Sequence, residues 1–125
     1  MATYKTLKAW QHAQRLAIDC SRIARNFPDY EQGALADLLR RACYRVPLNI
    51  AEGNSRHGSR ECRRSLASAR CSLAEVETII QIARELEYLS PAEFGRLEAL
   101  ANETGKTLFG LLRKLGGIAE RGPRS

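Results

Sequence analysis

The chain has 125 residues, a mass of 14.0 kDa, 44% hydrophobic residues and a formal net charge of +6. That size admits one domain with one core, and that hydrophobic fraction excludes a disordered chain. No apolar run reaches the ~20 residues that span a bilayer, and MATYKTLKAWQHAQ holds no signal-peptide core, so a cytoplasmic protein without a membrane partner is expected.

Apolar positions recur on alternating three- and four-residue steps in four segments. They predict helices at about 4–27, 32–56, 59–89 and 91–116, in one bundle over 1–120 with a disordered tail at 121–125. The first seam is Trp10, Ala13, Ala17, Cys20, Ala24 and Phe27, and Phe27-Pro28-Asp29 stops it, because a residue before proline avoids the α region. The second is Leu35, Leu39, Ala42 and Val46, continued by Asn49 and Gly53.

Pro47 falls inside that second helix, where a missing amide hydrogen and a ring clash cost roughly 3 kcal/mol. Asn49 and Glu52 follow it near the seam, and polar groups there need partners. Two readings result. Either these side chains bond across helices and fix the register, or the interrupted helix opens the bundle to a ligand.

Gly58 and Ser59 mark the next turn, with Ser59 as the expected N-cap. The third seam is Cys62, Leu66, Ala69, Leu73, Val76, Ile80 and Ala83. Ser90-Pro91-Ala92-Glu93 combines an N-cap serine, proline at the first helical position and glutamate at the capping-box position. The fourth seam runs from Phe94 through Leu97, Ala101, Thr104, Leu108, Leu111 and Leu115 to Ile118, with Gly116-Gly117 as its expected end. Short connections make the fold all-α, an up-down-up-down four-helix bundle.

Charge is distributed unevenly along these helices. Residues 40–70 hold eight arginines (Arg40, Arg41, Arg45, Arg56, Arg60, Arg63, Arg64 and Arg70) against two acids, Glu52 and Glu61, and the rest of the chain nets zero. A guanidinium fork binds phosphate bidentately and is weakly hydrated, so this segment points to an anionic partner, with nucleic acid foremost. Around the third helix Arg60, Arg63, Arg64 and Arg70 fall within about 120° of arc away from the seam. Two acids cannot neutralise eight arginines. The competing reading is a solvated basic face with weak surface pairs.

The apolar pattern exceeds what one bundle consumes. Tyr44 and Leu48 point away from the second seam, and Ile79, Ile82, Leu86 and Leu89 form a second stripe on the third helix. A helix with two apolar faces needs two partners, which points to a subunit interface. Long loops or a splayed fourth helix are the alternative cover.

The chemistry of a catalytic site is missing from the sequence. There is no nucleophile–base pair, no metal-ligand spacing and no phosphate loop, and His12 and His57 stand isolated as surface residues. No enzyme, cofactor or metal is expected. An enzyme reading would need arginines to clamp an anion, with Glu52 or Glu75 as acid or base. The four cysteines read as inert thiols; Cys62 and Cys71 sit about 13 Å apart along one helix, too far to bridge.

Several of these runs resemble one family. Arg40-Arg41-Ala42, then Val46-Pro47-Leu48-Asn49-Ile50-Ala51-Glu52-Gly53 and Arg56, is similar to the signature of the bacterial four-helix bundle proteins, also called 23S rRNA intervening-sequence or S23-type proteins. Leu7-Lys8-Ala9-Trp10, Phe27-Pro28, Ser72-Leu73-Ala74-Glu75 and Leu86-Glu87-Tyr88-Leu89 extend the resemblance over nearly the whole chain. It departs at Arg45, where the family often has a small hydroxyl residue, and at Cys71, where it often has glycine. The resemblance implies a bundle similar to the accessory proteins of diversity-generating retroelements. Those form pentameric rings and bind nucleic acid and a reverse transcriptase, so it implies a ring-like homopentamer with the same classes of partner. The leading expectation is thus a non-enzymatic, arginine-faced protein that binds RNA or an RNA–DNA hybrid through phosphates. A protein-interaction scaffold is the alternative.

Overall fold

A computed structural model of the chain describes residues 3–55 and 58–120. Within them lie four helices and no strands: α1 (Lys8–Ala24), α2 (Leu35–Ser55), α3 (Ser59–Glu85) and α4 (Pro91–Glu120). Residues 121–125, expected as a disordered tail, lie outside the described residues, as do Arg56 and His57.

Contacts between helices fix the topology. Cys43 Sγ meets the Ala17 carbonyl while Gln32 reaches the Ala24 carbonyl, so α1 and α2 run antiparallel. Arg45 pairs with Glu75, and Gly53 lies beside Cys62 and Leu66, so α2 and α3 do too. Arg84 stacks on Phe94 and Arg70 on Phe109, which reverses α4 against α3. Asp19 pairs with Arg96 and His12 meets Thr107, closing α4 onto α1. The result is an up-down-up-down bundle in which each helix touches its two neighbours.

Its core is largely the predicted seam, with Leu16 and Ile50 added to it and the seam positions Trp10 and Asn49 only half-buried. Leu16, Leu39, Val46, Ile50, Leu66, Val76, Ile80, Leu97 and Leu108 are fully buried, each large apolar side chain contributing about 1.5–3 kcal/mol. Ile79 and Leu89 join them at 8% and 6% exposure. The second apolar stripe of α3 is therefore partly consumed by the chain's own core, and Ile79 is not free for a subunit contact.

The ends of the helices differ from expectation for local reasons. Before α1 the chain makes a short 3₁₀ turn at Tyr4–Thr6, and Leu7 is extended (φ −75°, ψ 127°), so α1 starts only at Lys8. At the other end, Arg25, Asn26 and Phe27 donate to carbonyls three residues back, tightening the chain into the Phe27-Pro28 turn. Helix α3 is capped by Gly58, not Ser59, which is already helical. It stops at Glu85, four residues short of the predicted 89, in a Schellman turn. Glu87 adopts φ 64°, its amide donates to Arg84 O, and the Tyr88 amide donates to Ala83 O at 2.8 Å. The expected capping box at α4 is present in both directions: Glu93 N donates to Ser90 Oγ (3.1 Å) and Ser90 N to Glu93 Oε1 (2.9 Å). Helix α4 then continues through Gly116-Gly117 to Glu120.

Helix α2 runs unbroken through Pro47. Asn49 is half-buried and makes no side-chain hydrogen bond among the described residues, so it does not pin the register by a cross-helix bond. Glu52 is exposed. Gly53 has a clearer role. An added Cβ there would lie 3.2 Å from Cys62 O and 3.2 Å from Leu66 Cδ2, so glycine lets α2 and α3 approach this closely at their shared turn without either giving way by a few tenths of an ångström.

Candidate functional site

Seven of the eight arginines of residues 40–70 lie among the described residues, Arg56 being outside them, and they divide into two groups. Those of α2 are engaged. Arg40 is half-buried and its guanidinium donates to Gln32 O (2.9 Å) and Gln32 Oε1 (3.3 Å). Gln32 Nε2 in turn donates to the carbonyls of Ala24 and Phe27 at the end of α1. Arg40 is thus a strut of the α1–α2 turn and leaves the basic face. Arg41 pairs with Asp37 one turn earlier (3.0 Å), and Arg45 with Glu75 across to α3 (3.5 Å). Both pairs are exposed and add little stability, but they cancel charge locally. Glu75, the possible acid or base of the enzyme reading, is that surface partner of Arg45.

Those of α3 are different. Arg60, Arg64 and Arg70 are exposed and Arg63 is half-buried, and none makes an ion pair among the described residues. They occupy the first half of α3, at the end of the bundle where α2 stops, α4 finishes and α1 begins. That end gathers further cations which the arginine count alone does not reveal. Lys106, Arg113 and Lys114 are exposed on the second half of α4, and Lys5 and Lys8 at the start of the chain. A cleft of about 420 Å³ between the start of α1 and the end of α4 is lined by Lys8, Arg113 and Lys114, with Leu7, Ala9 and Leu111 beneath. Arg63, Arg70, Glu77 and Arg84 follow one another at seven-residue spacing along the α4 side of α3. The acidic member of that row, Glu77, is half-buried, and burial pushes its carboxyl above the usual carboxylate range.

Phe109 stands within this basic end. It is 51% exposed, on the flank of α4 that faces Arg70, whose Cζ lies 5.9 Å from the ring centroid; the Arg113 Cζ lies 6.0 Å away. Phe109 is not among the candidate site residues to which the sequence points. Its signal was the spacing Lys106, Phe109, Arg113 on one side of α4, which acquires meaning only once α4 is laid against Arg70.

The apolar surface lies elsewhere. Ile18, Tyr44 and Leu48 flank the α1–α2 groove, with Tyr44 Oη 2.8 Å from Ser21 Oγ and Leu48 66% exposed. Leu38, Ile82 and Leu86 are exposed along the α2–α3 side. Four of the six residues that the sequence assigns to extra apolar faces thus remain at the surface, Ile79 and Leu89 being the exceptions.

The thiols are all free, with Cys20 and Cys43 buried, Cys62 half-buried and Cys71 exposed. A hydrogen bond shared with Cys43, together with burial, pushes the Cys20 thiol well above its ordinary value, so Cys20 is not a ready thiolate. No group of three His, Cys, Asp or Glu side chains among the described residues could hold a metal ion. Among them, too, no helix is long and apolar enough to cross a membrane.

An antiparallel bundle with a polarised, arginine-rich end is a helical scaffold presenting one charged surface. The chain belongs to the 23S rRNA-intervening sequence protein family, whose model matches residues 5–110. That match takes in all of α1, α2 and α3 and two-thirds of α4, up to one residue beyond Phe109. No curated protein matches the chain.

Proposed function

We propose that this protein is a non-enzymatic, cytoplasmic RNA-binding accessory factor that holds the phosphate backbone of RNA, or of an RNA–DNA hybrid, on its basic end. The observation that carries this reading is the row Arg60, Arg63, Arg64 and Arg70, without ion-pair partners among the described residues and continued by Lys106 and Arg113. Guanidinium groups in that density release counterions from a polyphosphate, which gives affinity with little sequence discrimination. The family's name, which refers to intervening sequences of 23S rRNA, accords with an RNA partner.

Assembly into a ring of identical chains, a pentamer by the resemblance, belongs to the same proposal. A ring requires two different patches on each subunit. Ile18, Tyr44 and Leu48 on one side and Leu38, Ile82 and Leu86 on the other meet that requirement. Repetition of the basic end around a ring would multiply its field, and a reverse transcriptase remains the protein partner that the resemblance suggests.

The test is a salt series of binding to single-stranded RNA, duplex RNA and duplex DNA, on protein whose mass in solution is known. The slope of log K against log salt is expected to fall by about two to three in the Arg60→Ala/Arg63→Ala/Arg64→Ala variant, because each phosphate contact contributes roughly 0.7–0.9. A well-folded oligomer that binds none of these at low salt refutes the proposal and favours the scaffold reading.

A further inference from the structure

We infer that Phe109 is a stacking platform for an unpaired nucleobase, so that the basic end prefers single-stranded over duplex nucleic acid. This inference rests on the proposed nucleic-acid function and specifies which nucleotides the site takes.

An exposed phenyl ring on a helix already provided with a seam is an unusual choice. Leu108 supplies the core contact of this turn at 1% exposure, while its neighbour Phe109 leaves half of its surface to water. The ring contributes little to the fold. Its two guanidinium neighbours, Arg70 and Arg113, lie over the ring with Cζ 5.9 and 6.0 Å from the centroid, the outer limit of cation–π attraction, so they hold it loosely and a stacking base can draw them onto its phosphates. Arg70 on α3 forms one bank, and Lys106 and Arg113 on α4 form the other.

A second copy of this same face is a poor occupant, since it would bring these cations against their equivalents. A planar, electron-rich base flanked by phosphates satisfies every group at once. Its face stacks on the phenyl ring, and its backbone passes between cations on both banks. Bases inside a duplex are stacked on each other and present no free face, so the platform selects loops, ends and single strands. A phenyl ring carries no hydrogen-bonding group to read a 2′-hydroxyl. Single-stranded RNA and DNA are therefore held alike at this position.

The experiment uses the full chain and a short fluorescein-labelled oligouridylate, with a duplex RNA of the same length for comparison. Phe109→Leu keeps apolar bulk and removes the aromatic face, and Phe109→Trp enlarges it. Phe109→Leu is expected to weaken single-strand binding roughly five- to a hundred-fold, with the salt slope unchanged and duplex binding within about twofold of wild type. Phe109→Trp, placed in a Trp10→Phe background so that it is the sole indole, is expected to keep single-strand affinity and lose emission when the strand binds.

Wild-type binding that Phe109→Leu leaves intact overturns the platform while the arginine reading stands. Absence of binding by the wild type at low salt overturns the proposed function and the platform with it. A change in the solution mass of Phe109→Leu that accompanies weaker binding assigns the ring to a subunit contact and also overturns the inference.

Discussion

Three glycines on this bundle receive the same substitution with opposite expected signs. Gly53, Gly95 and Gly110 are all helical, so replacement by alanine at each gains about 1 kcal/mol of helix propensity. At Gly95 and Gly110 an added Cβ meets nothing within 4 Å, and the gain stands alone. At Gly53 it meets the Cys62 carbonyl oxygen at 3.2 Å and the Leu66 side chain at 3.2 and 3.3 Å. Leu66 is fully buried and the carbonyl belongs to the first turns of α3, so neither gives way without moving the helix. Overpacking of this kind costs about 1–3 kcal/mol, which outweighs the propensity gain and leaves Gly53→Ala destabilised by about 1 kcal/mol. The two classes then differ by about 2 kcal/mol, or roughly 6–10 °C in midpoint for a chain of this size. Thermal and urea unfolding followed by circular dichroism, at one fixed protein concentration, measures the difference. A Gly53→Ala midpoint that rises with those of Gly95→Ala and Gly110→Ala would refute the close approach of α2 and α3.

Further expectations concern single turns. Glu87 occupies the left-handed position of the Schellman turn at φ 64°, so Glu87→Gly should stabilise by about 0.5–1 kcal/mol, whereas Glu87→Ala should not. Equal effects in urea titrations would assign the change to charge. Ser90→Ala removes the acceptor for Glu93 N and should cost about 1 kcal/mol of unfolding free energy in the same assay. Glu77 gives a pH signature. Because burial raises its carboxyl pKa, the native state holds that proton more tightly than the unfolded chain does, and the charged form is penalised at neutral pH. Glu77→Gln should therefore raise the midpoint near neutrality and converge with wild type below a pH of about 4, the range of an unperturbed glutamate. A difference that grows on acidification would contradict that assignment.

The seam of every helix was legible because three–four spacing is a property of one helix, readable without its neighbours. Leu39, Val46, Leu66, Leu73 and Leu97 are buried where periodicity places them. The capping box at Ser90 and Glu93 was legible for the same reason: both partners lie within four residues. What escaped depends on contacts between elements. Whether Ile79 faces a partner or the core turns on where Leu38 and the α2 backbone pass, and the projection of α3 alone contains neither. Arg40 counted as surface charge until Gln32, eight residues away through a turn, proved to be its acceptor. Phe109 escaped because one of its two guanidinium neighbours, Arg70, comes from α3, thirty-nine residues earlier in the chain.

These two classes of residue bear differently on the family signature. Arg40 secures the α1–α2 turn, Val46 and Ile50 fill the core, and Gly53 admits α3. Much of the run that marks the family is therefore explained by the bundle itself. The cations without ion-pair partners among the described residues stand after it, on α3 and α4: Arg60, Arg64, Arg70, Lys106 and Arg113 are all exposed. Scaffold and charged surface are thus separable in this chain. Replacing Arg60 and Arg64 by alanine should leave the unfolding midpoint unchanged, since exposed charges contribute little to stability. Replacing Arg40 should lower it, because the Gln32 carbonyl and the turn that Gln32 caps lose their donor, a loss of about 1–3 kcal/mol for a half-buried charged hydrogen bond. Loss of stability in the first variant, or none in the second, would reverse the roles assigned to the two groups of arginines.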